Sequence, residues 1–264
     1  MTQAAVQALE GAFTAPQPLV VNRDGASPVI VVCEHASCFV PAELNSLGLD
    51  AETLKSHIAC HPGAMKVAEG ISERLDAVLV ASQVSRLVYD CNRPPAAAGA
   101  VPERSEVFDI PGNRNLGPAQ RESRIALVYE PFRTSLASVI AAADGPAVIV
   151  TIHSFTPVYD GVARDVELGI LHDTDARLAD AMLMNTHWHT SLDVRRNEPY
   201  GPEDGVTHTL RENAVPAGLY NVMIEIRNDL IKTPREQDAM AATLSGWIIS
   251  GLRELAVTIP GEEA

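Results

Sequence analysis

The chain has 264 residues, enough to bury the core of one large α/β domain. Its 46% hydrophobic and 20% charged residues exclude a disordered protein. The formal net charge of −14 repels nucleic-acid phosphates and anionic membrane surfaces, so neither is an expected partner; an acidic substrate would require a local cluster of arginines.

Residues 1–27 mix Ala, Gln, Pro and Gly and read as a loosely held arm. Residues 1–9 lack the basic region and following apolar stretch of a secretory leader. Residues 28–33 form a continuous apolar, β-branched run, as in a strand covered on both faces. The spacing of Ala64, Val67, Ala68, Ile71 and Leu75 predicts a helix over 63–75, and 77–84 reads as a second strand. Residues 94–118, rich in Pro, Ala and Gly, form a long loop of the kind that often serves as a lid or binding loop. A long helix follows over 120–143, with Pro131 as a candidate break. Residues 147–152 are the clearest buried strand. A shorter strand over 166–171, a helix over 175–188, a strand over 221–226 and a closing helix over 235–252 complete the chain. Strands alternating with helices predict an α/β fold: a single three-layer α/β/α domain over residues 1–264, with a mostly parallel mixed sheet. No segment approaches the ~20 apolar residues of a membrane span. Four cysteines in so long a chain, Cys33, Cys38, Cys60 and Cys91, read as reduced thiols of a cytoplasmic protein.

In open α/β sheets the ligand site lies outside the carboxyl ends of the strands. Glu34 and His35 follow the first strand. Ser85, Arg86, Asp90, Asn92 and Arg93 follow the second. His153, Ser154 and Thr156 follow the third, and Glu225, Arg227 and Asp229 lie on or after the late one. A catalytic zinc takes three protein ligands and keeps one position for water. His35 and His153, each ending a buried strand, are placed to converge. His61, just before Pro62-Gly63 at a helix start, is the third candidate. His57, Glu34 and Cys38 remain open for that role. His57 taken alone reads as an ordinary surface or core histidine. His187 and His189 read as a solvated helix end, and His172 and His208 fall in loops. Zinc suits a His-rich site; manganese, iron and cobalt stay open.

Strand alternation puts Met223, Glu225 and Arg227 on one face and Val222, Ile224 and Ile226 on the other. A carboxylate in so apolar a strand has its pKa pushed toward neutrality by burial, which suits a general base; an ion pair with a buried arginine is the structural alternative. Arg86 and Arg93 flank a short apolar run, and guanidinium forks match carboxylates. Arg164, after Asp160-Gly161, would add positive charge.

The runs Cys33-Glu-His-Ala-Ser37, Ser85-Arg-Leu-Val-Tyr-Asp-Cys-Asn-Arg-Pro94, Ile152-His-Ser-Phe-Thr-Pro157 and Ile224-Glu-Ile-Arg-Asn-Asp-Leu-Ile231 resemble the N-formylglutamate amidohydrolase family. That family is similar in turn to the zinc carboxypeptidase and aspartoacylase group. The resemblance implies a zinc-exopeptidase-like fold holding one divalent ion, zinc first, in a cytoplasmic enzyme of histidine catabolism. It implies His35 as the first ligand, His153 as the last, Glu225 as general base, and Asn92-Arg93 as the pair gripping a substrate carboxylate. Arg86 joins them, with Arg164 and Arg227 as further candidates. The chain departs from the pattern at two places. Cys38 stands where the carboxypeptidase group has a ligating Glu, and His61 where the formylglutamate family has an acidic residue. The expected reaction is hydrolysis of an N-formyl or similar N-acyl acidic amino acid, with N-formyl-L-glutamate giving formate and L-glutamate. A hydrolase of another acidic amide and a non-catalytic carboxylate-binding domain are the rivals. Neither the acyl group nor the oligomeric state follows from the sequence.

Overall fold

Runs of Val, Ile and Leu without a polar break bury both faces of a strand, and such runs form the centre of this fold. The computed structural model describes residues 13–260. In chain order its strands are β1 (Leu19–Val21), β2 (Val29–Cys33), β3 (Val78–Ala81), the hairpin β4 and β5 (Arg104–Ser105 and Phe108–Asp109), β6 (Val148–Phe155), the hairpin β7 and β8 (Val158–Tyr159 and Val162–Ala163), β9 (Leu168–Leu171), β10 (Val194–Arg196) and β11 (Asn221–Arg227). Seven of them form one sheet in the order β1-β3-β2-β6-β11-β9-β10. β3, β2, β6 and β11 run parallel. β1 and β9 pair antiparallel with β3 and β11. β2 and β6 are buried along their whole lengths.

The helices are α1 (Ala64–Leu75), α2 (Pro118–Arg124), α3 (Glu130–Ala142), α4 (Arg177–Met184), α5 (Thr186–His189), α6 (His208–Asn213) and α7 (Pro234–Glu254). One face of the sheet, through Val31, Val150 and Ile224, packs with Val67 and Ile71 of α1, Met182 of α4 and Trp247 of α7. The other, through Val32, Ile149 and Met223, packs with Phe132 and Leu136 of α3. The result is a three-layer α/β/α fold with a mostly parallel, mixed sheet. α1 can begin where it does because Gly63 takes φ +80; a Cβ there would lie 2.6 Å from the Ile231 carbonyl oxygen. α7 starts on a capping box, in which Thr233 N–H donates to Glu236 Oε2 (2.8 Å) and Glu236 N–H to Thr233 Oγ1 (3.3 Å).

Several expectations change. Of the supposed arm, residues 1–12 lie outside the described residues, whereas Leu19–Val21 is an edge strand. The helix over 118–142 is not broken at Pro131. Proline has no N–H to donate to the carbonyl of residue 127, and the ladder widens to one π turn (Ile125–Tyr129), with Glu130 N–H reaching Ile125 O. At 25 residues this helix is long and apolar enough to cross a membrane by length and composition, contrary to expectation. Here it packs on the sheet through Phe132 and Leu136, and its buried Arg124 donates to Val88 O (3.0 Å) and Asn113 Oδ1 (2.6 Å). The expected helix over 175–188 is two helices that meet at Asn185.

The thiols divide. Cys33 and Cys91 are buried and free, as expected. Cys38 and Cys60 are joined in a disulfide with Cα atoms 4.9 Å apart, so the reading of four reduced thiols is corrected. With it goes the thiol-based support for a reducing compartment. The bond closes a loop over a sequence separation of 22 residues. Replacing both residues (Cys38→Ala with Cys60→Ala) is expected to lower the unfolding free energy by about 3 kcal/mol, read from denaturant titration. An unchanged midpoint, or alkylation of both thiols in the native protein, would contradict the crosslink.

Candidate metal and hydrolytic site

The chain runs from β2 outward to β3 and returns through β6 on the other side of β2. Such a reversal opens a crevice at the carboxyl edge of the sheet. His35 lies just past the end of β2 and His153 on the last turn of pleat of β6. Parallel register sets Glu225 of β11 opposite His153. His61 arrives from the segment leading into α1, its N–H bonded to the His35 carbonyl at 3.0 Å. Ring centroids are 4.3 Å apart for His35 and His61, 4.9 Å for His35 and His153, and 5.1 Å for His61 and His153. One ligand atom from each lies within 4.8 Å of the others, and all three side chains are buried. His57, Glu34 and Cys38 are outside this group.

The donor set fits a divalent transition metal. His35 Nδ1 and His153 Nδ1 are buried with no hydrogen-bond partner, an arrangement that costs free energy unless something accepts their lone pairs or protons. His61 Nδ1 faces the Ser154 N–H (3.0 Å) and its Nε2 faces Arg86 Nη1 (2.9 Å). A neutral imidazole has one free lone pair, so only one of these contacts is a full hydrogen bond. Burial, reinforced by the charges of His35 and Arg86, holds His61 well below the usual histidine range. Burial also lowers His35, to about 4, against the pull of Asp90. Both are therefore neutral at pH 7, the state in which imidazole ligates metal. His153 is raised: burial lowers it, but the Glu34 and Glu225 carboxylates outweigh that.

These groups line a cleft of about 360 Å³ together with Arg86, Asn92, Arg93 and Glu225. Glu225 is 2% exposed and its Oε2 has no partner. Burial pushes its carboxyl up to about 7, while His153, Arg86 and Arg164 restrain the rise.

The arginines do not share one environment. Arg86 bridges His61 and Asp90 Oδ2, the latter at 2.7 Å. Arg93 donates to the Asp204 carbonyl and has no carboxylate partner among the described residues. Arg164 packs its guanidinium carbon 4.5 Å from the Tyr159 ring and 4.8 Å from the Tyr200 ring, two residues of the cleft wall, without itself lining the cleft. Arg227 departs from expectation. The chain leaves the sheet at this residue, and its side chain bonds Asp229 (2.8 Å), Glu167 (3.3 Å) and the Asp165 carbonyl (3.0 Å), away from the cleft. Asn92 lines the cleft, but its carbonyl accepts the Thr209 N–H (2.9 Å) and its amide donates to Val206 O.

The long loop does reach the site. Ser105 lines the cleft, and Glu106 bonds His57 Nε2 (2.6 Å) and the Asp160 N–H (2.9 Å), tying hairpin β4–β5 to hairpin β7–β8. His57 is thus a cleft residue, which its own sequence gave no sign of. Tyr159 and Tyr200 were also missed, because each stands alone in its segment. Elsewhere His187 is exposed as expected, whereas His189 is half-buried, bonded to Ser250 Oγ (2.9 Å). His208 bonds the Tyr129 hydroxyl (2.8 Å) and His172 lies beside Arg196 (3.0 Å).

A carboxyl with its pKa raised by the fold costs no stability below its ordinary value of 4.5; the cost grows as pH rises and is complete above about 7. Glu225→Gln is therefore expected to stabilise the metal-free protein by about 3 kcal/mol at pH 8 and by under about 1 kcal/mol at pH 5. Urea titrations at the two pH values check this; an equal effect at both would contradict a raised pKa.

Among solved structures, the chain is similar to gene product Atu2144 from Agrobacterium tumefaciens, with 52% identity over 94% of this chain and 98% of that one, and a TM-score of 0.89. It also shares the fold of the N-formylglutamate amidohydrolase from Ralstonia eutropha JMP134, with 17% identity over 91% of this chain and 99% of that one, and a TM-score of 0.63. No curated protein matches the chain. The model of the N-formylglutamate amidohydrolase family matches residues 27–232. These residues include all three converging histidines and Glu225, and on that match the chain belongs to the N-formylglutamate amidohydrolase family.

Proposed function

We propose that the protein hydrolyses the amide bond of an N-formyl, or similar N-acyl, acidic amino acid, with N-formyl-L-glutamate as the first substrate to test. The observation that carries this is one buried carboxylate, Glu225, set beside three converging neutral-capable histidines in a single cleft. His35, His61 and His153 would hold a divalent ion, zinc first by donor type. Such an ion supplies a Lewis acid for the amide carbonyl and lowers the pKa of water toward ~7.

Glu225 takes the proton of the attacking water on its unpartnered Oε2 and passes it to the amide nitrogen. The C–N bond breaks, the water oxygen stays on the acyl carbon, and formate and the free amino acid leave. A carboxyl pKa of about 7 lets Glu225 serve in both directions near neutrality. Arg93, which makes no ion pair with a carboxylate among the described residues, is placed for a substrate carboxylate. Arg86 spends its fork on Asp90 and His61 and contributes chiefly field. Arg164 adds positive charge from behind Tyr159 and Tyr200. An acidic chain would in this way present a small basic pocket to an acidic substrate.

Formate release from N-formyl-L-glutamate by zinc-loaded protein is the test. Glu225→Gln is expected to lower kcat by about 10²–10⁴-fold with metal content unchanged. A variant with near-normal turnover would remove Glu225 from the chemistry. Arg93→Ala is expected to raise KM for N-formyl-L-glutamate by roughly 10–100-fold, and Arg164→Ala by less. Equal turnover of N-formylglutamate and an N-formyl neutral amino acid by the native protein would rule out carboxylate recognition by these residues.

A further inference from the structure

The two strand-end histidines each have a buried carboxylate against one ring nitrogen. His35 Nε2 lies 2.7 Å from Asp90 Oδ1, with both side chains almost wholly buried. Asp90 is itself locked: Oδ2 accepts from Arg86 Nη2 (2.7 Å) and Oδ1 from the Asn92 N–H (3.0 Å). His153 Nε2 lies 2.9 Å from Glu34 Oε2, in contact but off the line of a hydrogen bond. Glu34 is 1% exposed, does not line the cleft, and has no Arg or Lys at ion-pair distance among the described residues. A buried carboxylate with no cationic partner but histidine is costly unless that contact is put to use.

The use is set by imidazole chemistry. A ring whose Nε2 proton is held by a carboxylate carries its lone pair on Nδ1. In His35 the atom left buried and unpartnered is Nδ1; in His153 neither ring nitrogen has a hydrogen-bond partner, and Nδ1 is the one turned away from the Glu34 contact.

We propose that Asp90 and Glu34 are positioning residues, each holding Nε2 of one histidine so that Nδ1 of His35 and Nδ1 of His153 face the metal. The inference rests on the reading that the three histidines hold a metal. It goes beyond that reading by assigning the ligand atoms and giving a role to two residues outside the group of three histidines. Asp90 occupies a fixed place between Arg86 and the Asn92 N–H, so it also transmits the position of residues 86–93 to the His35 ring. Glu34 supplies a negative charge behind His153 that balances a cation in front of it. Outer partners of this kind usually change metal affinity by 10–100-fold when altered.

The test uses the full chain and the near-isosteric variants Asp90→Asn and Glu34→Gln. Zinc affinity is measured by competition with a chromophoric chelator, and the visible absorption of the cobalt-substituted protein reports the donor set. Both variants are expected to bind zinc about 10–100-fold more weakly, while the cobalt bands keep their wild-type positions and His153→Ala alters or abolishes them. Wild-type affinity in a variant overturns the role of that residue. Shifted cobalt bands in Asp90→Asn or Glu34→Gln would make the residue a direct ligand and overturn the positioning role. Unfolding midpoints of the metal-free proteins separate simple loss of structure: a lowered midpoint with unchanged zinc affinity also overturns the proposal. If the wild-type chain binds neither zinc nor cobalt, the metal reading itself fails, and this inference with it.

Discussion

The site depends on one packing constraint, the parallel register of β6 and β11 beside β2. That register sets Glu225 opposite His153, and the exit of the chain from β2 brings Glu34 and His35 to the same level. A shift of β11 by one residue would turn Glu225 to the other face, into the layer of Val67, Ile71 and Trp247. The register is held by the apolar side chains that alternate with the polar ones. Val150, Ile152, Ile224 and Ile226 lie in one layer, and Ile149 and Met223 in the other. The chemistry and the core thus occupy the same strands, separated only by the two-residue period of the pleat.

Desolvation then does opposite things to neighbouring groups. It raises Glu225 to about 7 because no cation sits directly against it. It fails to raise Asp90, which the charges of His35 and Arg86 hold well below the usual carboxylate range. Glu34 is likewise held down, by His153 and the Thr209 hydroxyl, although burial opposes this. Three buried carboxylates around one histidine cluster therefore differ in protonation through their partners and not through depth.

The strands and most helices were legible in the sequence because their cause is local. Unbroken β-branched runs at 28–33 and 147–152 can only be strands buried on both sides, and the apolar spacing of 63–75 fits one helix face. Boundaries were read less well where a local rule met tertiary packing. Pro131 removes a hydrogen bond, yet the packing of Phe132 and Leu136 keeps the helix running by opening a single π turn. Residues 19–21 carry no strong strand signal, but the open edge of β3 pairs with them.

The sequence by itself determined which residue types close each strand, and so the identity of His35, His153 and Glu225 as a group at one sheet edge. Alternation and strand order suffice for that, because both are set by residues close in the chain. Only the tertiary structure decided what each charged or reactive side chain meets. Arg227 shares the alternation of Glu225 but finds Asp229 and Glu167. Cys38 finds Cys60, His57 finds Glu106, and Glu34 finds His153. Such pairs join residues far apart in the chain, where no periodicity reaches, and their free energy depends on burial that exists only after the layers have packed.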